Sequence, residues 1–133
     1  MTTAALLVTA LLFGGMVLYS FGFAAFLFQA LPGDLAGRTI RRAFPHFYLF
    51  VMATAGLGAL LLLPQDPVLG GLLALIALST WPTRQLLMPA INAATDRGAR
   101  RRFQVLHSLS VAITLGHIAL AGWVLARLPG LVG

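Results

Sequence analysis

The chain has 133 residues, of which 59% are hydrophobic and 9% charged, with formal net charge +6. A soluble domain carries about 25% charged residues, so there is too little polar surface here to cover a water-soluble globule. The basic balance comes from nine arginines, no lysine and three aspartates, Asp34, Asp66 and Asp96; no basic stripe on a polar domain accompanies it, which excludes a nucleic-acid-binding reading. Cysteine is absent, which excludes disulfides and thiolate metal sites.

The first apolar segment runs from about Ala4 to Phe28. It lacks a basic leader and continues well past the length of a signal-peptide core, so it reads as a retained membrane span. Leu31-Pro32-Gly33-Asp34 ends it. A loop containing Arg38, Arg41 and Arg42 follows, and a second span covers about Phe44 to Leu63. Pro64-Gln65-Asp66-Pro67 makes a tight turn into a third span, about Val68 to Met88. Pro82 predicts a kink within that helix and Pro89 its end. After a second basic loop with Arg97, Arg100, Arg101 and Arg102, the fourth span runs from about Phe103 to Ala126, and Pro129-Gly130 follows it.

Each segment approaches the roughly 20 helical residues needed to cross a bilayer core of about 30 Å. Backbone groups in lipid must be satisfied internally, so these are helices. The expected fold is all-α: one integral membrane domain over residues 1–133, a four-transmembrane-helix up-down bundle with helices two and four parallel. Arginine-rich short loops stay on the cytoplasmic side, which puts both chain termini on the non-cytoplasmic side of a bacterial inner membrane. The loop arginines are suited to anionic lipid headgroups. Small residues at Ala55/Ala59, Ala112/Gly116 and Gly122/Ala126, with Gly14, Gly15 and Gly22, predict close helix approaches.

Intramembrane polar side chains are costly in lipid and are the first place to look for function. His107, Ser110, Thr114 and His117 recur at i, i+3, i+7 and i+10, on one stripe of the fourth helix. Either hydroxyl can equally return its hydrogen bond one turn back along its own helix. His46, Arg84 and His107 are expected at one depth just inside the basic interface, near Tyr48, Gln85 and Asn92. Such a cluster suits an anion, a quinone headgroup or a metal. Two histidines on parallel helices, His46 and His107, are also a candidate axial pair for haem b. Against these stand plainer roles: Arg84 snorkelling to the interface and His46 facing water at a helix start. A paired general acid and base within the membrane is missing, because all three carboxylates lie in loops. There is no embedded Asp or Glu of the kind proton pumps carry.

Two stretches carry a family resemblance. The first is Arg42-Ala43-Phe44-Pro45-His46-Phe47-Tyr48; the second joins Met88-Pro89-Ala90-Ile91-Asn92 to Phe103 and Leu106-His107-Ser108-Leu109-Ser110. Across about residues 11–126 the chain resembles the transmembrane protein 205-like family, domain of unknown function 4149, of four-helix membrane proteins. The resemblance implies no settled activity. It singles out Arg42, Phe44, Pro45, Tyr48, Pro89, Asn92, Phe103, His107 and Ser110; His46 departs from the family pattern, which weakens the two-histidine haem idea.

The expectation is a non-enzymatic membrane protein that binds or moves a small solute or metal species through Arg42, Tyr48, Arg84, Asn92, His107 and Ser110, acting as a homo-oligomer or within a larger membrane complex. The alternatives are a b-type haem redox protein and an accessory subunit without a ligand of its own.

Overall fold

Four helices account for nearly all of residues 2–128, the part of the chain described by the computed structural model; the Pro129-Gly130 breaker lies outside it. Helix α1 is built of Thr2–Val17, a π-helical stretch Leu18–Phe23 and Ala24–Ala30. Helix α2 spans Gly33–Leu62, and α3 comprises Pro67–Pro82, a π-helical stretch Thr83–Leu87 and Met88–Asp96. Helix α4 spans Arg100–Arg127. Three segments, Thr3–Ala30, Gly33–Leu62 and Arg100–Arg127, are individually long and apolar enough to cross a membrane. Helix α3 reaches a similar length only because its π stretch joins two shorter α segments.

Local chemistry explains the joints. Leu31 is extended before Pro32, so α1 stops where the sequence breaks. Asp66 caps α3, its carboxylate accepting from the backbone N–H groups of Val68 and Leu69 at 3.1 Å each, with Pro67 in the first turn, where no N–H is needed. At the far end of α3, Gly98 has φ +66°, a conformation that glycine adopts without a Cβ clash. There the Ala99 N–H reaches the Ala94 carbonyl and the Gly98 N–H the Thr95 carbonyl, a Schellman closure.

Two boundaries differ from the sequence reading. The first basic segment is not a loop: α2 begins at Gly33 and carries Arg38, Arg41 and Arg42 on its first turns. Asp34 sits near the positive end of the helix dipole and pairs with Arg38 one turn on at 3.7 Å. Pro45 lies inside this helix rather than at its start. Nor does Pro89 end α3. It falls in the first turn of the Met88–Asp96 segment, where a missing N–H is tolerated. The π stretch between Pro82 and Pro89, closed by the Met88 N–H on the Thr83 carbonyl, carries the helix past both prolines.

Successive helices pack antiparallel. Between α1 and α2, the Tyr19 hydroxyl donates to the Ala43 carbonyl at 2.9 Å, while Thr9 lies level with Gly58. Between α2 and α3, Gly70 lies against the Leu63 backbone at one end, and Arg84 meets Pro45 at the other. Helix α4 completes the bundle, with Gly122 against the Phe13 ring of α1. Of the predicted small-residue contacts, Ala55 and Ala59 are buried, and Gly15 and Gly122 admit aromatic rings. A Cβ at Gly14 or Gly116 would meet nothing within 4 Å among the described residues, and Ala112 is exposed.

The core is concentrated at one end. Leu12, Met16, Val51, Leu62, Leu73, Ile76, Ala121 and Val124 pack there, on the side of the Pro64–Pro67 turn. Within α4 no residue from 100 to 116 is buried. The arginine-rich half of the bundle is therefore the open half.

Candidate functional site

In the tight half, α1 packs on both α2 and α4. Beyond Val17 it leans chiefly on α2: Tyr19 stacks on Phe47 with centroids 4.9 Å apart and meets Phe44 edge-on at 5.6 Å. The first half of α4, meanwhile, packs on the last segment of α3. The two outer helices thus part company, and a cleft of about 650 Å³ opens between them at the arginine-rich end. That volume lies in the range of small-molecule sites, about 300–1,000 Å³.

Each helix contributes one face. From α1 come Ser20, Phe21, Ala24 and Phe28, at helical spacing. From α2 come Gly37, Arg38, Arg41, Phe44 and Tyr48, and from α3 Ile91, Asn92 and Thr95. Helix α4 gives Phe103, His107, Ser110, Val111, Thr114 and Leu115. The outer rim carries charge, and the inner walls carry rings, aliphatic groups and neutral polar side chains.

The rim charges are engaged. Arg41 makes a two-pronged contact with Asp96, Nη1 to Oδ1 at 2.8 Å and Nη2 to Oδ2 at 2.7 Å, tying the first turns of α2 to the last turn of α3. These hydrogen bonds, with the arginine charge, hold the Asp96 carboxyl below the usual carboxylate range. Because Asp96 precedes the second basic stretch, the bridge also puts both arginine clusters at one end of the bundle.

Inside, several polar groups have no protein partner among the described residues. The Tyr48 side chain is 8% exposed, yet its hydroxyl makes no hydrogen bond among the described residues. Ser20 Oγ is buried without a partner. The Asn92 amide and the Thr114 hydroxyl likewise make none among the described residues. Ser110 differs: it donates to the His107 carbonyl at 2.7 Å, the local bond open to a helical serine. His107 stacks on Phe103, rings 5.3 Å apart and 11° from parallel.

The structure divides the residues singled out from sequence. Tyr48, Asn92, His107, Ser110 and Thr114 share the cleft. Arg84 does lie level with the start of the second predicted span, but in the α2–α3 seam: its Nε–H donates to the Pro45 carbonyl at 3.1 Å and Nη1 to Gln85 Oε1 at 2.7 Å. Arg42 and His46 are exposed, and neither lines the cleft. His46 is two residues from both Phe44 and Tyr48, about 200° around the helix, so it lies on the opposite face from the cleft. His46 and His107 therefore do not face each other across the bundle, and a two-histidine haem clamp does not fit this arrangement. Nor does any group of three or more His, Asp or Glu side chains suited to a metal occur among the described residues.

His117 leaves the stripe for a related reason. At its level the bundle has closed, and it is buried against α3 with Nε2 2.8 Å from Ser79 Oγ. Ser79 Oγ also lies 2.7 Å from the Leu75 carbonyl of its own helix, so it links the imidazole to the α3 backbone. Ser20 is the wall residue that the sequence reading passed over. The rule applied to the fourth helix, that a polar side chain within an apolar span needs a reason, finds it in the first.

A family profile described as a domain of unknown function, DUF4149, matches residues 7–100. No curated protein and no solved structure matches the chain. The matched region holds the α1, α2 and α3 walls of the cleft and stops at the first residue of α4. A small helical membrane protein whose first three helices carry this match belongs to the DUF4149 family.

Proposed function

We propose that this protein binds a small solute within the bilayer, without chemistry of its own, in the cleft at the arginine-rich end. The observation that carries the reading is the convergence of Ser20, Tyr48, Asn92 and Thr114 from four different helices on one cavity, with their polar groups unmatched by protein partners among the described residues. Tyr48, Asn92 and Thr114 keep hydrogen-bonding groups open to the cavity, and a ligand that pairs with them gains those bonds within a largely apolar site. A selective site is mostly apolar with a few convergent polar groups, which is the composition of these walls.

Placement follows from charge. Arg42, Arg97, Arg100, Arg101 and Arg102 lie at the cleft end and make no salt bridge among the described residues. By the positive-inside rule that end faces the cytoplasm, where these side chains meet anionic headgroups of the cytoplasmic membrane. The cleft is then a site in the inner leaflet.

The test is native mass spectrometry of protein released from membranes in mild detergent. Wild-type protein is expected to retain a small molecule that Thr114→Trp, which fills the cavity from α4, does not. Equal retention by both, or no adduct on either, argues against a binding role for this cleft.

A further inference from the structure

We infer that the ligand is an uncharged amphiphile with a flat, carbonyl-bearing head, the chemistry of a quinone, whose tail lies out through the side of the cleft into lipid. This rests on the reading of the cleft as a binding site and adds the class of molecule.

Charge within the cleft favours an uncharged head. The arginines on the rim are matched by carboxylates: Arg41 by both oxygens of Asp96, and Arg38 by Asp34. A phosphate or carboxylate arriving there meets two aspartates as well as two arginines. Past the rim, the polar wall side chains are Ser20, Tyr48, Asn92, His107, Ser110 and Thr114, none of them a carboxylate or a guanidinium. An ionic head drawn inward would give up its hydration for no opposite fixed charge.

The groups left without partners among the described residues can all donate. Tyr48 and Thr114 each offer an O–H and Asn92 an NH₂, from α2, α4 and α3 respectively. A head with acceptors at opposite edges is complementary to donors that come from several sides. Carbonyl oxygens on a ring satisfy them without bringing further donors.

Shape points to a plane. Helix α2 presents Phe44 and Tyr48 at i and i+4, with centroids 6.1 Å apart. The parallel helix α4 presents Phe103 and His107, again at i and i+4. The Phe44 and Tyr48 rings are tilted 60° to each other and the Phe103 and His107 rings lie 11° from parallel, so the two walls offer a flat ring both edges and faces, the ways aromatic groups pair.

The entrance is greasy. Phe21 is 52% and Phe28 58% exposed on α1, and Val111 40% and Leu115 47% exposed on α4. These side chains line the cleft and also reach its outer surface, where the surroundings are acyl chains. A tail lying between them exchanges one apolar contact for another, so the molecule enters sideways from the bilayer.

The experiment is a binding titration of decylubiquinone, and in parallel of dodecyl phosphate, to the protein in phosphatidylcholine nanodiscs, each corrected for empty nanodiscs. Saturable one-to-one quinone binding is expected, weakened roughly three- to tenfold by Tyr48→Phe and by Asn92→Leu, the worth of one hydrogen bond each. Thr114→Trp is expected to remove it. Tyr48→Phe deletes one exposed-to-cavity oxygen and keeps the ring, so a loss of binding with an unchanged melting temperature reports the hydrogen bond and not the fold. Quinone binding that neither Tyr48→Phe nor Asn92→Leu weakens would overturn the assignment of the head to these donors. Saturable dodecyl phosphate binding blocked by Thr114→Trp, with no quinone binding, would overturn the ligand class while leaving the cleft a binding site. No saturable binding of either probe, together with no retained adduct in the native spectrum, would overturn both.

Discussion

Arg41 and Asp96 grip each other through both oxygens of the carboxylate, at 2.8 and 2.7 Å, across 55 residues of sequence. The contact joins the beginning of α2 to the end of α3 at the lip of the cleft, where hydrophobic packing is sparse. It therefore holds two helix ends that the core, concentrated in the other half of the bundle, does not reach.

The pH dependence of this bridge has a definite sign. Asp96 is held below its ordinary range chiefly by hydrogen bonding from Arg41; desolvation opposes this, and the Arg41 charge adds a smaller lowering. A depressed carboxyl contributes stability above its unfolded pKa, about 3.9 for an aspartate, and loses it as pH falls through the folded value. Asp96→Asn is thus expected to melt slightly below wild type at pH 7, with the difference shrinking below about pH 4. The charge-swapped pair Arg41→Asp with Asp96→Arg restores the neutral-pH value. Thermal melts at pH 7 and pH 3 check this, and an equal deficit at both would show that the ion pair is not the cause. Both side chains are largely solvent-facing, so the effect is small.

What could be read beforehand follows from what each feature depends on. The turn at Pro64–Pro67 and the break at Leu31-Pro32 are local events, set by proline geometry, and they appear where they were expected. The helical character of residues 33–43 was missed because charge was read as loop. Leu, Ala and Arg are good helix formers, and the Asp34–Arg38 pair and the Arg41–Asp96 bridge reward the helix. Pro89 misled because a proline's meaning depends on its place in a turn, which the π stretch before it changes. Within the site, His107, Ser110 and Thr114 were legible as a stripe. That α1 would leave α4 beyond Val17 was not, and this parting decides which polar residues share a cavity and which, like Arg84 and His117, are spent on packing.

The closeness of α2 and α3 at their turn yields a paired prediction. A Cβ on Gly70 would lie 2.6 Å from the Leu63 backbone nitrogen and 2.8 Å from its Cα, whereas one on the adjacent Gly71 meets nothing within 4 Å. Backbone cannot step aside as a side-chain tip can. Gly70→Ala is expected to destabilise the bundle by about 1–3 kcal/mol, the usual cost of overpacking, while Gly71→Ala leaves it unchanged. Unfolding in a mixed-micelle denaturant series measures both. Equal stability of the two variants would show that the α2–α3 turn is not tightly packed.

His117 separates polar packing from ligand contact. Its Nε2 bonds Ser79 in the closed half of the bundle, away from the cleft. His117→Leu is expected to cost about 0.6 kcal/mol, typical of an interhelical hydrogen bond in a membrane protein, and to leave small-molecule retention intact. Asn92→Leu is expected to do the reverse, since its amide has no partner to lose among the described residues and lies on the cleft wall. Melting temperature and native-spectrum adduct, read together on both variants, test the division. A His117→Leu protein that folds normally but loses its adduct would move His117 into the site.

Orientation is testable through the arginines that the fold leaves free. Asp34 and Asp96 are committed to Arg38 and Arg41, so the charge available to oppose translocation comes from Arg42, Arg97, Arg100, Arg101 and Arg102. A phosphatase reporter, active only outside the cytoplasm, is expected to be active when fused at Gln65, in the short turn, and inactive when fused at Gly98, between the two sides of the basic end. Replacing Arg42, Arg100, Arg101 and Arg102 by glutamine is expected to make both fusions partly active, because lysine and arginine near span ends set orientation and acids contribute little. The bridge residues Arg38 and Arg41 serve as the contrast. If translocation reads positive charge before the helices pack, their replacement has the same effect as that of the free arginines. If it reads the folded hairpin, in which those charges are matched by Asp34 and Asp96, their replacement is silent. An active reporter at Gly98 in the wild-type chain would invert the assignment and put the mouth of the cleft in the outer leaflet.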